Sequence, residues 1–152
     1  MKDKKLIQYA TRSNLMDINV SYGKEDFSFN LSGELAIDEN IINREVKEQP
    51  SSYAFLNMLY KKLIRAFKEA EKKMERKYSQ LFLKYKQEKE DSGRSLNNDS
   101  VKAKINIDPV YNELWNEFIE AEHQAMVLEV CVKAFEQRVN LIQTLSANLR
   151  KG

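Results

Sequence analysis

The chain of 152 residues is long enough for one ordinary domain, and a composition that is 42% hydrophobic and 32% charged is too apolar for a disordered protein. One cysteine excludes an internal disulfide, so we expect a cytoplasmic protein; we expect no signal peptide and no membrane helix, since no apolar stretch of about 18 residues occurs. The net charge of +2 conceals an asymmetry, because residues 61–89 carry 11 positive and 4 negative side chains and residues 108–145 carry 2 positive and 7 negative.

The N-terminal third has the alternating pattern of a β-hairpin over residues 17–33. Ile18, Val20 and Tyr22 alternate with polar residues, and a second alternating series follows the Gly-containing stretch 23–26. That series is Phe27, Phe29, Leu31, Leu35 and Ile37, with Gly33 as a candidate break. Asp38 is predicted to cap a short helix over residues 39–48, which Gln49-Pro50 is expected to end because the residue before a proline disfavours helix.

Ser51 or Ser52 is predicted to cap a long helix that runs to about Glu90. Its apolar residues recur at steps of three and four, the spacing of a coiled-coil seam with one slip. They are Tyr60, Leu63, Phe67, Ala70, Met74, Tyr78, Leu81 and Tyr85. Turn-forming residues then predict a loop from Asp91 to Ile107.

Asp108-Pro109 predicts the start of a second long helix, because the aspartate can cap it and proline needs no hydrogen-bond partner in the first turn. Its seam keeps the same spacing to about Leu149. The seam consists of Tyr111, Leu114, Phe118, Ala121, Ala125, Leu128, Val132, Phe135, Val139 and Ile142. The opposite net charges of the two helices favour antiparallel pairing.

We therefore expect a mainly α-helical fold. Residues 1–50 form a β-hairpin and a short helix, and residues 51–152 form a long antiparallel helical hairpin. A further apolar stripe on the second helix, interrupted by Arg138, needs another neighbour and predicts a homo-oligomer built through residues 127–149. The residues assigned to that contact are Val127, Cys131, Ala134, Leu141, Leu145 and Leu149. The alternative is that the N-terminal hairpin covers this stripe.

Side chains suited to catalysis are scarce, so we expect a protein that is not an enzyme and needs no metal or other cofactor. No phosphate-binding loop and no dinucleotide-binding glycine motif occurs in the sequence. Glu120 and His123 have the Glu-x-x-His spacing of di-iron bundles, but those sites need a second pair and the chain has no second histidine. We expect a structural His123, and a Cys131 that behaves as a small hydrophobic residue.

The first long helix carries a stripe of cations. The ordinary interpretation is a solvated face that pairs with the acidic second helix, but the excess of seven positive charges over residues 61–89 favours a surface for a polyanion. The residues assigned to DNA binding are Lys61, Arg65, Lys68, Lys72, Lys73, Arg76 and Lys77. Tyr78, Phe82 and Tyr85 lie nearby and are able to stack on unpaired bases if exposed, although seam packing is preferred for the two tyrosines.

The order of these parts resembles the UvsY recombination mediator family of T-even-like phages over about residues 34–150. The resemblance lies in Ile37-Asp38 before a short helix, in Lys72-Lys73 and the later basic residues of the first long helix, and in Asp-Pro-x-Tyr at residues 108–111. The family's DNA-contacting motif is Leu-Lys-Ala-Arg. Lys77 matches its lysine, and Ser79 stands where the family has arginine.

The resemblance implies a helical subunit that forms a ring-like oligomer in the cytoplasm of a phage-infected host cell. Such an oligomer binds single-stranded DNA without sequence specificity, displaces the single-strand-binding protein and loads a RecA-type recombinase in DNA recombination and repair. The alternative is a coiled-coil scaffolding or assembly-chaperone protein of a phage, whose charged helices bind each other and a protein partner. The hairpin at residues 17–33 lies outside the resemblance.

Overall fold

The computed structural model describes residues 16–88 and 93–151. Its elements are strands β1 (Asp17–Tyr22) and β2 (Glu25–Asn30), helix α1 (Leu31–Leu35), a 3₁₀ turn (Glu39–Ile41), and helices α2 (Ile42–Gln87), α3 (Asn98–Asn106) and α4 (Pro109–Leu149). Helix makes up 79% of the described residues and accompanies one small antiparallel sheet, which confirms the predicted mainly helical fold; the predicted oligomer is not shown. Three predictions concern residues outside the described ranges. They are the absence of an N-terminal signal peptide, the helix end near Glu90 and the first residues of the loop.

The β-hairpin is present, and its turn explains its register. Gly23 has a φ of 65° and is the first of two central turn residues, the position at which a type II′ turn requires a glycine. Val20 then pairs with Phe27 and Ile18 with Phe29 on the apolar face of the hairpin. On the polar face the cross-strand side chains are hydrogen-bonded at 2.7 Å: Ser21 to Asp26, Ser28 to Asn19, and Asn30 to Asp17.

The predicted continuation of the second strand beyond Leu31 is wrong. The chain turns into α1, because the Asn30 side chain accepts a hydrogen bond from the Gly33 N–H at 2.9 Å and caps the helix. Leu31 is buried and anchors this turn. Gly33 therefore lies inside a short helix and does not mark a break within a strand.

The predicted helix end at Gln49-Pro50 is also wrong, since α2 continues through Pro50. Proline removes the hydrogen bond to the Val46 carbonyl, but both residues lie on an exposed side of the helix. The preceding Gln49 is only 4% exposed and is held by hydrogen bonds to residues of α4. Tertiary contacts on the buried side therefore keep the helix intact across a residue that usually interrupts it.

Helix α3 occupies much of the segment that was predicted to be a loop. The Asn97 side chain accepts a hydrogen bond from the Ser100 N–H at 2.7 Å and caps its start. Val101 and Ile105, four residues apart, lie on one face and are fully buried. Two apolar residues one turn apart are thus enough to dock a helix rich in turn-forming residues.

Helix α4 begins and ends as predicted, and Asp108 caps it through a hydrogen bond of 2.9 Å from the Tyr111 N–H. Every residue of the two predicted seams is buried or half-buried. The 3–4 spacing therefore identified the packed sides of α2 and α4 correctly.

The described residues form two compact units. The first contains the chain up to Lys62 and again from Gln124 onward; the second contains residues 63–123. In the first unit the hairpin packs on both long helices, since the Ser21 N–H donates to Gln124 Oε1 at 2.9 Å and the ring centroids of Phe27 and Phe55 are 5.9 Å apart. The hairpin thus contacts α4 at Gln124, just before the stripe that the alternative expected it to cover.

In the second unit α2 and α4 run antiparallel, with Phe67 against Phe118 and Tyr78 against Tyr111. Helix α3 adds Val101 and Ile105 to a core that also contains Leu81 and Leu96. This core is formed entirely by aliphatic side chains, with partly buried aromatic rings around it.

Candidate nucleic-acid interface

Four of the seven predicted DNA-binding residues lie on the exposed side of α2 in the second unit. The periodicity of about 3.6 residues per turn places Lys72 roughly opposite the seam residue Met74. Lys68, Lys72, Lys73 and Arg76 are all exposed, and we call these four residues the basic face. All four belong to the second unit, whereas Lys61 belongs to the first.

The cations of the basic face form no close ion pairs in the part of the chain that the structure describes, although Glu69, Glu71 and Glu75 lie in the same segment of α2. Among the described residues, no ion pair within 4.0 Å involves Lys68, Lys72, Lys73 or Arg76. The expected pairing of these cations with the acidic second helix is therefore not seen. The four cationic side chains are therefore exposed to water without a direct contact to a described carboxylate.

The other predicted cations differ in their surroundings. Arg65 is exposed but pairs with Glu69 at 2.9 Å, one helical turn away. Lys77 is half-buried, and its charge contributes to holding the pKa of Asp108 below the ordinary value, after the larger effect of the hydrogen bond from the Tyr111 N–H. Lys61 lies with its ammonium 5.6 Å from the centroid of the Tyr60 ring.

Several cations near the end of α2 have internal partners. Lys86 Nζ donates to the Leu96 carbonyl at 2.8 Å and to Asn98 Oδ1 at 2.9 Å. Lys104 pairs with Glu88 and lies 5.5 Å from the centroid of the Tyr85 ring. These lysines tie α3 to α2, so they serve the fold of the second unit rather than its basic face.

Tyr78, Phe82 and Tyr85 do not form an open stacking surface. All three pack against the core of Leu81, Val101 and Ile105 and are half-buried, so seam packing describes Phe82 as well as the two tyrosines. Contacts between rings continue from Tyr78 through Tyr111 to Trp115. Trp115, which sequence reasoning did not single out, is 43% exposed.

The residues considered for chemistry show no catalytic arrangement. His123 is exposed, and Cys131 is buried in the first unit, where burial raises the pKa of its thiol. Within the described residues no group of three His, Cys, Asp or Glu side chains is placed to hold a metal ion. None of the described helices is long and apolar enough to cross a membrane.

The six residues assigned to oligomer contacts do not form one exposed stripe. Cys131 is fully buried within the chain, Val127, Ala134 and Leu145 are half-buried, and Leu141 and Leu149 are 58% and 59% exposed. The structure instead exposes Met126 and Val130, at 60% and 62%. The sequence did not identify these two residues, because Val127 and Cys131, each one position later, are also apolar and have the same spacing.

Arg138 is the residue whose role the sequence concealed. It interrupts the apolar stripe, yet it is only 7% exposed and every part of its guanidinium has a partner. Nε donates to the Leu35 carbonyl at 3.2 Å, and Nη2 donates to the Ala36 carbonyl at 2.8 Å and pairs with Glu45. Nη1 donates to Gln49 Oε1, so one arginine joins α4 to α2 and to the end of α1.

Comparison of the chain with protein-family models, curated proteins and solved structures gives no match.

Proposed function

We propose that the protein binds single-stranded DNA through the basic face and acts, without catalysis, as a recombination mediator. One observation carries the proposal: Lys68, Lys72, Lys73 and Arg76 are exposed and lie outside every ion pair of the described residues. Arg138 and Lys104 show that this chain pairs a cation when the fold uses it.

The contacts would be made to phosphates rather than to bases. Lysine and arginine on one exposed helix side recognise a charged backbone, and such contacts are sequence-tolerant and salt-dependent. The half-buried state of Tyr78, Phe82 and Tyr85 leaves them little surface for base stacking. Affinity would therefore come mainly from charge.

Assembly would strengthen this weak surface. A single basic face offers four cations, but an oligomer presents several copies whose contacts to one strand add as avidity. The exposed Met126, Val130 and Leu141 on α4 supply apolar surface for that assembly. A strand held by several copies would become less available to a single-strand-binding protein and would be presented to a RecA-type recombinase.

The binding test compares two variants that each lose four positive charges. The first replaces Lys68, Lys72, Lys73 and Arg76 with alanine; the control replaces the exposed Lys24, Lys47, Arg150 and Lys151 of the first unit. Fluorescence anisotropy with a labelled thymidine oligonucleotide is measured from low to moderate salt. We expect the first variant to lose about tenfold or more in affinity and to flatten the slope of log affinity against log salt by up to about 2.8, at 0.7 per lost phosphate contact.

The control should bind nearly as the unchanged protein does. Equal losses in both variants would mean that net charge alone attracts the strand, and the basic face would not be a site. A RecA-type recombinase then tests the mediator role. Its ATP hydrolysis on oligonucleotide coated with single-strand-binding protein should rise when the unchanged protein is added, and it should not rise with the basic-face variant.

The exposed apolar residues of α4 also support the second candidate function, a scaffolding or assembly-chaperone protein. Met126 and Val130 lie one helical turn apart and would suit packing against a partner helix. The two functions separate in one experiment, which combines light scattering with the anisotropy measurement. An oligomer that does not bind the oligonucleotide at micromolar concentration would favour the scaffold.

A further inference from the structure

A groove of about 570 Å³ runs beside the hairpin in the first unit. One side of it is lined by four consecutive residues of β2: Asp26, Phe27, Ser28 and Phe29. The other side is lined by Ser51, Ser52 and Phe55 of α2. Successive residues of a strand point to opposite faces, so a groove that touches all four lies along the edge of β2 rather than on one face.

No described residue forms a backbone hydrogen bond with the outer edge of β2. In an antiparallel ladder, residue pairs alternate between those that exchange backbone hydrogen bonds and those that do not. Ser21 donates its N–H outward to Gln124, so the Ser21–Asp26 pair is of the second kind. Asp26 and, two residues later, Ser28 must then direct their N–H and C=O groups away from β1, and no described residue bonds to the Ser28 N–H.

The side chains of the groove specify what could pair there. Its apolar surface is mainly aromatic, with Phe27 and Phe29 from β2, Phe55 from α2, which is 53% exposed, the buried Phe135 and the buried Leu56. Its charged groups are the carboxylates of Asp26 and Glu34, and no cationic side chain of the described residues lines it. A binding segment should therefore be extended, partly apolar and positively charged.

We propose that this groove binds an extended segment of a partner protein, which adds as a third strand beside β2 and carries Lys or Arg among alternating apolar residues. Backbone hydrogen bonds to Ser28 would set its register, and the phenylalanines would receive its apolar side chains. A second copy of β2 fits less well, since its own sequence, EDFSFN, would bring acidic residues to an acidic groove. The proposal uses the first unit only and does not rest on DNA binding.

The test uses a fluorescein-labelled peptide, Lys-Val-Lys-Phe-Lys-Val-Lys, and the full chain. Ser28→Pro removes the outward N–H at a position where an edge strand tolerates proline, and Ser28→Ala is the matched control because it also loses the hydrogen bond to Asn19 but keeps the N–H. We expect Ser28→Pro to weaken binding about tenfold and Ser28→Ala less than about threefold. Asp26→Asn with Glu34→Gln should weaken binding and reduce its salt dependence.

A second measurement does not depend on the folding of any variant. The same peptide with its alternate backbone nitrogens methylated keeps its charge and side chains but cannot complete a strand ladder, so it should not bind the unchanged protein. Equal binding of the methylated peptide would overturn the proposal, and so would equal affinities of Ser28→Pro and Ser28→Ala.

Two further results would assign the groove to a different occupant and would also overturn the proposal. One is a fall in oligomeric mass with Ser28→Pro but not Ser28→Ala, which would identify a second copy. The other is peptide binding that appears only when Leu6 and Ile7, outside the described residues, are changed to Asp, which would identify the chain's own N-terminal segment.

Discussion

The two units of this chain differ in the surroundings of two groups of cations, Arg138 in the first and the basic face in the second. The first unit buries Arg138 and surrounds it with Glu45, Gln49 and two backbone carbonyls. The second unit has an aliphatic core and keeps its basic face in water without carboxylate partners. Among the described residues the buried polar side chains, Gln49 and Arg138, both belong to the first unit.

The difference separates structural from available charge. A buried guanidinium must have its hydrogen bonds satisfied, because an unpaired charge in the interior is very costly. An exposed lysine contributes little to folding, so its positive charge is free to interact with a ligand. Charge density in the sequence cannot distinguish the two cases, whereas burial and partners do.

The largest expected effect comes from removing the buried charge. Arg138→Met leaves Glu45 and Gln49 buried without their partner and should lower the free energy of unfolding by about 3–5 kcal/mol. Cys131, the single thiol and a buried residue of the same unit, reports the change directly. Its reaction with a thiol reagent should be slow in the unchanged protein and much faster in the variant.

Arg44→Met is the matched control, because Arg44 pairs with Glu48 on the same helix with 69% and 58% of the two side chains exposed. Its loss should change the free energy of unfolding far less than the loss of Arg138 does, because solvent screens an exposed pair. If the two variants were equally stable, Arg138 would not hold the first unit together.

The core of the second unit should respond to apolar truncation instead. Ile105 is fully buried, and Ile105→Ala should lower the free energy of unfolding by about 2–5 kcal/mol. Ile107, two residues further on and 76% exposed, provides the control, since Ile107→Ala should change it by less than about 0.5 kcal/mol. Trp115, the single tryptophan, lies in this unit, so its fluorescence during urea unfolding measures both.

A similar shift in both isoleucine variants would show that α3 does not dock through Val101 and Ile105. The helix would then contribute little to the second unit.

The sequence alone predicted the elements whose apolar residues repeat with a regular period. It failed where a single tertiary contact determines whether a helix forms or continues. The seams of α2 and α4 and the alternating strands follow directly from spacing, and the Asp108 cap follows from residue type. The stop at Pro50 was wrong because Arg138 holds Gln49 from a position 89 residues away. Helix α3 was missed because its core contribution is only Val101 and Ile105 among polar residues.

The candidate site was predicted in composition but not in detail. Spacing identified the exposed side of α2, but it assigned Arg65 and Lys77 to DNA binding on the same grounds as Lys72. Only the structure shows that Arg65 has a carboxylate partner and that Lys77 is half-buried. The residues assigned to oligomer contacts stay a prediction, and spacing alone did not show that Cys131 is buried while Val130 is exposed.

The cap of α4 makes stability depend on pH. The pKa of Asp108 is lowered chiefly by the hydrogen bond from the Tyr111 N–H, with smaller contributions from Tyr85 and Lys77. A carboxyl whose pKa is lower in the folded state stabilises the fold above its unfolded pKa of about 4, and this contribution is lost as the pH falls through the folded value. The second unit should therefore lose stability in acid.

Asp108→Asn keeps a capping oxygen but cannot titrate. Urea unfolding followed by Trp115 fluorescence should show the variant less stable than the unchanged protein at pH 7, with the difference shrinking as the pH falls below about 4. A difference that stays constant with pH would mean that the charge of Asp108 does not support the cap.

The smallest effect tests the basic face itself. It compares the change in the free energy of unfolding caused by Arg→Gln at two positions of α2. Arg76 has Lys72 and Lys73 at the positions four and three residues before it, and neutral Ser79 and Gln80 at the corresponding positions after it. Arg76→Gln relieves like-charge repulsion and should raise the free energy of unfolding by about 0.2–0.5 kcal/mol at low salt. Arg65→Gln removes the pair with Glu69 but also relieves repulsion with Lys61, Lys62 and Lys68, so it should change the free energy of unfolding less. Both changes should fade at high salt, since the charges are exposed and screened. A loss of stability in Arg76→Gln would show that this cation serves the fold, and the basic face would then have one charge fewer to offer a nucleic acid.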